Sequence, residues 1–381
     1  MSERRPISIL YVTYDGLAEP LGQSQVLGYL ERLSSTHRIH IVSFEKHADQ
    51  EELPALRRRL TEAGIGWTAL EYHKRPPLLS TALDVARGAR TVRRLASAGQ
   101  FDVLHARSDV PALIVDLSRA PGRFLFDIRG FWADERADSG MWTTSSTLYR
   151  LVRRLERRFY RRADAVVTLT NAAVPIVRRW MSSDRVPLAV IPTCAAIERY
   201  EASAPRSGGP HVVWCGSIGT VYRFDLAVRM AATTDRPFTV LTRQTELARD
   251  GLAGAPADVR TVASADVAAE LHAGDVGLCL CEPSFARTAS APTRAAEHLA
   301  AAMPIAVTRF GDLAQLVENE GVGVVVDDES DESLRAATSR LLDLAADDEV
   351  LARCRRVARE RFDIDAGARE YAALYETLNA A

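Results

Sequence analysis

The sequence predicts an α/β protein built from two doubly wound domains. Three observations lead there. Short apolar runs recur along the chain, each followed by a turn and a stretch of helical composition, the alternation that produces parallel sheets. The runs are continuous rather than alternating, as in sheets covered on both faces: residues 7–13 read ISILYVT and residues 276–280 read VGLCL. Finally, 381 residues exceed one ordinary core, and suit two domains of roughly 150–200 residues.

In the first domain the strand 7–13 leads into YDGLAEPLGQSQVLGYLERLS. Gly16 and Gly22 bracket a loop there, and 25–33 reads as a helix with Val26, Leu27, Leu30 and Leu33 on one side. Strands follow at 40–44, 67–70, 101–105 and 123–128, with helices at 51–63 and 81–98. The fourth strand ends at His105, Arg107 and Ser108. Residues 127–142, DIRGFWADERADSGMW, read as a loop dense in chemistry. Loops at strand ends carry function, and aromatic faces beside carboxylates suit a sugar-like acceptor, which nominates Trp132, Asp134 and Glu135.

The stretch 148–162, LYRLVRRLERRFYRR, is the most charged of the chain. Its arginines (150, 153, 154, 157, 158, 161 and 162) follow helical spacing on one face, with Leu148, Leu151, Val152, Leu155 and Phe159 on the other. Such a helix can lie on an anionic membrane, although its apolar face is equally an ordinary core face. Nucleic acid is not indicated, because no interleaved aromatics or known binding fold accompany the charge. A strand at 165–170, a helix at 171–181 and a strand at 188–191 complete this domain, and 201–210 (EASAPRSGGP) has linker composition.

The second domain opens with a strand at 211–215 and the loop GSIGT. Gly216 and Gly219 let backbone approach a phosphate, and Ser217 and Thr220 add hydroxyls. Strands follow at 238–241, 259–262, 276–280, 305–307 and 322–326. Between the third and fourth of these strands, Ser290 and Pro292 read as a helix start, and the helix runs until Met303-Pro304. The first amides of a helix lack partners and suit a phosphate. The dipole alone contributes about 0.3–1 kcal/mol exposed and up to about 2 kcal/mol partly buried, too little for a diphosphate, so Arg294 would have to add charge. Thr293 and Glu297 stand four apart on one face. A phosphate at Thr293 would place a ribose diol near the Glu297 carboxylate; alternatively, Glu297 is a solvated helix residue and Ser290 a plain cap.

Composition sets bounds. Apolar residues make up 47% and charged residues 26%, the balance of a soluble globular enzyme. No run of 18 apolar residues occurs, and the start, MSERRPISILYVTYDG, lacks a signal-peptide h-region, which reads as cytoplasmic. Residues 1–200 carry 30 Lys+Arg against 22 Asp+Glu, net +8, whereas 201–381 carry 18 against 28, net −10. The basic half is therefore the candidate for an anionic partner or surface. The five cysteines form no metal framework; Cys279 and Cys281 share one face of an apolar strand and read as core thiols.

The pattern S-x-P-T-R-x-x-E-x-L-A-x-x-x-P-I at 290–305 closely resembles the nucleotide-binding segment of GT-B glycosyltransferases of the family-4-like group. The resemblance covers nearly the whole chain. It implies a GT-B fold, two Rossmann-like domains facing a cleft: an acceptor domain over 1–200, a linker at 201–210, a donor domain over 211–363, and a terminal helix within 364–381 crossing back. It also implies transfer of a sugar, with retention, from a UDP- or GDP-linked donor to a glycan, lipid-linked or natural-product acceptor. No metal or cofactor is implied, the nucleotide-sugar being a substrate. By the same resemblance Gly22, Gly216, Ser217, Gly219, Arg223, Val262, Ser290, Thr293, Arg294 and Glu297 contact the donor, with Asp15 and Gln23 near the acceptor. Glu297 matches the second glutamate of an E-x7-E signature whose first member is replaced by Ala289. Arg129 stands where many members carry a histidine, and arginine cannot act as a base, which leaves Asp127 or His105 to assist, with Arg223 stabilising the leaving group. Contact with an anionic membrane through 150–162, on the inner face, is compatible with this reading. Two alternatives remain: a nucleotide-sugar epimerase of the same fold, and a non-catalytic nucleotide-sugar binder suggested by Ala289 and Arg129.

Overall fold

The computed structural model describes residues 5–76, 78–201, 211–219 and 221–380. The chain divides into two compact units, one comprising Met1–Ile191 with Asp365–Ala381, the other Pro192–Ile364. The linker expected at 201–210 falls almost wholly outside the described residues, as does Thr220.

The first unit holds seven parallel strands: β1 (Ser8–Thr13), β2 (Arg38–Glu45), β3 (Gly66–Glu71), β4 (Val103–Arg107), β5 (Arg123–Asp127), β6 (Ala165–Thr168) and β7 (Leu188–Val190). Their spatial order is β3-β2-β1-β4-β5-β6-β7. The order reverses between β1 and β4, which makes their carboxyl ends the topological switch point where ligands bind in open parallel sheets. Register brings Thr13, Arg107 and Asp127 side by side at that edge. The apolar runs do what their composition demands: Ile9, Leu10, Val12, Ala106, Leu125 and Phe126 are fully buried. From Asp365 onward, the helix Ile364–Ala380 packs into this unit, with Tyr371 and Tyr375 buried.

Two local expectations change here. The supposed loop 127–142 contains a helix, Trp132–Asp138, whose first turn carries Asp134 and Glu135, the placement a helix dipole favours. Part of the charge that suggested a loop, Asp134, Glu135, Arg136 and Asp138, belongs to that helix. The basic helix runs Thr147–Arg162, capped by Ser146, whose side chain accepts from the Tyr149 amide. Its rotation differs from the simple two-face reading, because Leu151 is 53% exposed while Glu156 is buried. Ala133 N–H donates to Glu156 at 2.8 Å and Arg153 pairs with Glu156 at 2.7 Å, so burial of that carboxylate is compensated.

The second unit has six parallel strands, β8 (Val212–Cys215), β9 (Phe238–Leu241), β10 (Asp258–Arg260), β11 (Val276–Cys279), β12 (Ile305–Thr308) and β13 (Gly323–Val326), in the order β10-β9-β8-β11-β12-β13. Its switch point lies between β8 and β11. Beyond β11 come a short 3-10 turn, Ala286–Ala289, and the helix Thr293–Ala300. All five cysteines are buried, Cys279 and Cys281 in the same apolar cluster.

Candidate functional site

In the second unit the sequence-selected residues converge on the amino end of the Thr293–Ala300 helix. The cap position belongs to Pro292 rather than Ser290, and Pro292 has no side-chain oxygen to offer the first-turn amides. Ser290 instead ends the preceding 3-10 turn, and its buried Oγ has no hydrogen-bond partner. One turn on, Arg294 is buried, its guanidinium 4.7 Å from the Trp214 ring centroid and 4.5 Å from that of Tyr222. Its Nη1 is also buried without a partner. Each such orphan costs about 1–3 kcal/mol, which makes this helix start the candidate ligand site of the second unit.

The loop after β8 closes over this arginine. Gly216 has φ of +122°, and a Cβ there would sit 3.1 Å from Arg294 Nη2, so only glycine keeps the backbone this near the cation. Ser217 and Gly219 are exposed, and a Cβ on Gly219 would meet nothing within 4 Å. Glu297 shares a hydrogen bond with Tyr200, and its pKa is raised by burial, partly offset by Arg199 and Arg294. Thr293 is half-buried at the helix start. Val262 lies two residues past β10 rather than within it, half-buried against the apolar core.

Arg223 is placed differently from expectation. Its guanidinium is held by Asp225 at 2.9 Å, Glu329 at 2.6 Å and Glu282 at 3.1 Å, so its charge is already more than balanced. Its hydrogen bonds to the Glu329 and Asp225 carboxylates raise its pKa further.

The first unit treats its conspicuous residues differently again. His105 and Asp127, each 1% exposed, form an interior network with the terminal helix. His105 Nδ1 lies 2.7 Å from the Tyr375 hydroxyl and Nε2 lies 3.4 Å from Asp127, which also accepts from the Tyr371 hydroxyl at 3.0 Å. Donation from Nε2–H to Asp127 leaves Nδ1 to accept from Tyr375, so every ring nitrogen is used. Burial lowers the His105 pKa despite Asp127. Burial would raise that of Asp127, but Arg129, His105 and Arg107 outweigh it and the net shift is downward. Both groups are buried and bonded within the unit. Arg129 is anchored to Asp127 at 3.4 Å.

The acceptor candidates are likewise partly absorbed by the fold. Asp134 is buried and accepts from Tyr149 at 2.6 Å while pairing with Arg153 at 3.2 Å, which ties one helix to the next. Trp132 packs edge-on to Trp142 with centroids 5.2 Å apart, and Arg136 lies over its ring at 5.3 Å. Glu135 packs against Gly130, where a Cβ would come within 2.3 Å of its Oε1. Gln23 bridges Leu17 O at 2.8 Å and Arg59 at 2.7 Å. Gly22 meets Gly16 O at 2.1 Å from its would-be Cβ, a packing reason for glycine. Asp15, beyond β1, is 40% exposed at its side chain and pairs with Arg107.

Sequence reasoning did not single out Trp214, Tyr222 or Tyr200, which frame Arg294 and Glu297, nor Tyr371 and Tyr375, which lie more than 240 residues from their partners. It also missed His73, whose Nδ1 is 2.6 Å from the fully buried Asp84, itself bonded by Tyr14 at 2.8 Å. Helical spacing flags none of these pairs, because each joins separate elements.

The model of the glycosyl transferase 4-like domain matches residues 23–194. Residues 23–194 thus match a glycosyl transferase 4-like domain, and the chain has the GT-B fold. The solved structures it resembles share its fold. Sucrose-phosphate synthase from Thermosynechococcus elongatus superposes with a TM-score of 0.74 at 12% identity, over 99% of this chain and 100% of that one. Anabaena HepE, crystallised with UDP-glucose, gives 0.70 at 15% identity, over 98% and 99%. A putative UDP-N-acetylglucosamine 2-epimerase from Listeria monocytogenes gives 0.61 at 12% identity, over 99% and 98%. A comparison with curated protein sequences gives no match. Among the described residues no three His, Cys, Asp or Glu side chains could hold a metal ion, and no helix of the described residues is long and apolar enough to cross a membrane.

Proposed function

We propose that the chain is a family-4-like glycosyltransferase that takes its sugar from a nucleoside diphosphate donor, UDP- or GDP-linked, held by the second unit as a substrate rather than a cofactor. The observation that carries this reading is the pair of buried, unpartnered groups, Arg294 Nη1 and Ser290 Oγ, beside the uncapped start of the Thr293–Ala300 helix. A diphosphate supplies the acceptors these groups lack. The Glu297 carboxylate, one turn along, accepts from the ribose diol. HepE having been crystallised with UDP-glucose supports the choice of donor class.

The anionic leaving group is stabilised by amides and Arg294 without a metal. With His105 and Asp127 sealed inside the first unit, retention through a front-face route suits the chain. The departing phosphate itself takes the acceptor's proton, so no side-chain base is required. The acceptor is a glycan, a lipid-linked glycan or a natural product bound by the first unit. In the helix Thr147–Arg162, exposed Arg150, Arg154, Arg157 and Arg161 lie at helical spacing beside exposed Leu151 and could contact anionic lipid.

Titration of UDP and GDP, free and sugar-linked, into wild type and Glu297→Ala tests the donor assignment. The variant is expected to lose about tenfold in affinity, as for one charged hydrogen bond; unchanged affinity would remove Glu297 from the site. The likeness to the putative epimerase favours a second reading, which acceptor-free incubation separates: an isomeric nucleotide sugar as product indicates epimerisation. Inverted product stereochemistry would overturn the front-face route.

A further inference from the structure

At the switch point of the first sheet, two arginines sit on adjacent strand ends in an unusual state of incompleteness. Arg107, the last residue of β4, is 6% exposed. It pairs through Nη1 with Asp15, while its Nε is buried without a partner. Arg129, just past β5, is 11% exposed at its side chain, bonds Asp127 through Nη1 at 3.4 Å, and has a buried, unpartnered Nη2. Asp127 divides its acceptor capacity among Arg129, Tyr371 and His105, so it satisfies Arg129 poorly. Next to Arg107, Ser108 has φ of +74° with ψ of 178°, a conformation almost confined to glycine. Strain of this kind persists where surrounding structure enforces it, and it clusters at ligand sites.

The partner of Arg107 is the informative residue. Asp15 belongs to the loop after β1, and its side chain is 40% exposed although the arginine it neutralises is buried. A half-exposed carboxylate on a loop, seated on a buried guanidinium at a switch point, occupies the place an incoming oxyanion would take.

We propose that Asp15 is a resident stand-in for an anionic group of the acceptor, a phosphate or carboxylate, which displaces it and is gripped by Arg107 and Arg129. This deepens the acceptor side of the proposed function and rests on that reading. It narrows the acceptor to molecules carrying a fixed negative charge.

The proposal predicts an effect of opposite sign from ordinary loss of function. Removing the resident charge with Asp15→Asn should tighten the binding of inorganic phosphate, and of a hexose phosphate, by about fivefold, since a competing charge next to the cation is gone. Arg129→Met should weaken both by about tenfold or more. Calorimetry on the full chain in an Arg294→Met background, where the donor site is disabled, assigns the phosphate to the first unit. A neutral hexose serves as the control and should bind without dependence on Asp15.

Asp15→Asn that leaves phosphate binding unchanged or weaker overturns the proposal, and so does phosphate binding that disappears with Arg294→Met alone. Binding of inorganic phosphate without hexose phosphate overturns the acceptor assignment. Should Arg129→Met unfold, the sign of the Asp15→Asn effect still decides. Loss of the donor reading appears separately, as nucleotide affinity indifferent to Glu297 and Arg294.

Discussion

Each unit buries a histidine behind the carboxyl ends of its strands, and the two are treated in opposite ways. His105 has both ring nitrogens engaged, by Tyr375 and by Asp127. His298, in the second unit, has Nδ1 3.5 Å from the Cys279 sulfur and a buried Nε2 with no partner. The same contrast extends outward. The carboxylates of the first unit that looked catalytic are consumed by internal bonds, whereas Ser290 and Arg294 of the second are left unsatisfied around one helix start. Density of polar side chains in a sequence therefore marks two different things. It marks a network that stiffens the fold where partners are supplied by the chain, and a candidate binding site where they are not.

The sharpest test of that contrast is the acid response of His298. Burial lowers its pKa from 6.5 to about 3, with Arg294 adding to the shift. A base whose folded pKa is depressed contributes stability that is complete above the unfolded value and is lost as pH falls through the interval below it. Stability is expected to fall from about pH 6.5 toward pH 3 at up to about 1.4 kcal/mol per pH unit from this group. Equilibrium urea unfolding at several pH values, compared with His298→Gln, should show a shallower slope in the variant; equal slopes would remove His298 as the cause.

Next in size, Arg294→Met should lower nucleoside diphosphate affinity about ten- to hundredfold, the range of charge-assisted bonds worth roughly 1.5–3 kcal/mol. Calorimetry measures it, with circular dichroism to check the fold. Arg223→Met, by contrast, should change affinity little, because that guanidinium already has three carboxylates. If the two variants behave in the opposite order, the distinction between satisfied and unsatisfied arginines fails.

Tyr371→Phe removes one hydroxyl from the Asp127 network and should cost about 1–3 kcal/mol of stability, since it leaves a buried carboxylate short of a donor. The smallest effect is predicted for Arg154, Arg157 and Arg161 changed together to glutamine. These exposed residues should alter unfolding free energy by no more than about 0.5 kcal/mol each. Sedimentation with vesicles containing anionic lipid would then report their contribution to membrane contact without a confounding loss of fold.

Much of the architecture was legible because strand periodicity is local. Continuous apolar runs such as 7–13 and 276–280 announce strands buried on both faces, and the observed β1 and β11 differ from those runs only at their ends. The Thr293–Ala300 helix was legible for the same reason, as Pro292 and the alanine-rich run speak for themselves. The helix Trp132–Asp138 was not, because seven residues rich in charge and flanked by glycines look like a loop until Asp134 is seen tied to Tyr149. The network of His105 and Asp127 was not legible either, because their partners, Tyr375 and Tyr371, arrive from the far end of the chain.

By itself the sequence determined the class of the fold, the alternation of its elements and the start of the helix Thr293–Ala300 in the second unit. These rest on hydrophobic period, helix-start chemistry and local spacing, all of which act between near neighbours in the chain. The tertiary structure alone decided which charged groups are left incomplete. It gave Arg223 three carboxylates, gave Asp127 two hydrogen-bonding partners besides Arg129, and left Arg294, Arg107 and Arg129 with buried donors unpaired. Satisfaction of a polar group is a property of everything packed against it, and most of those neighbours are distant in sequence.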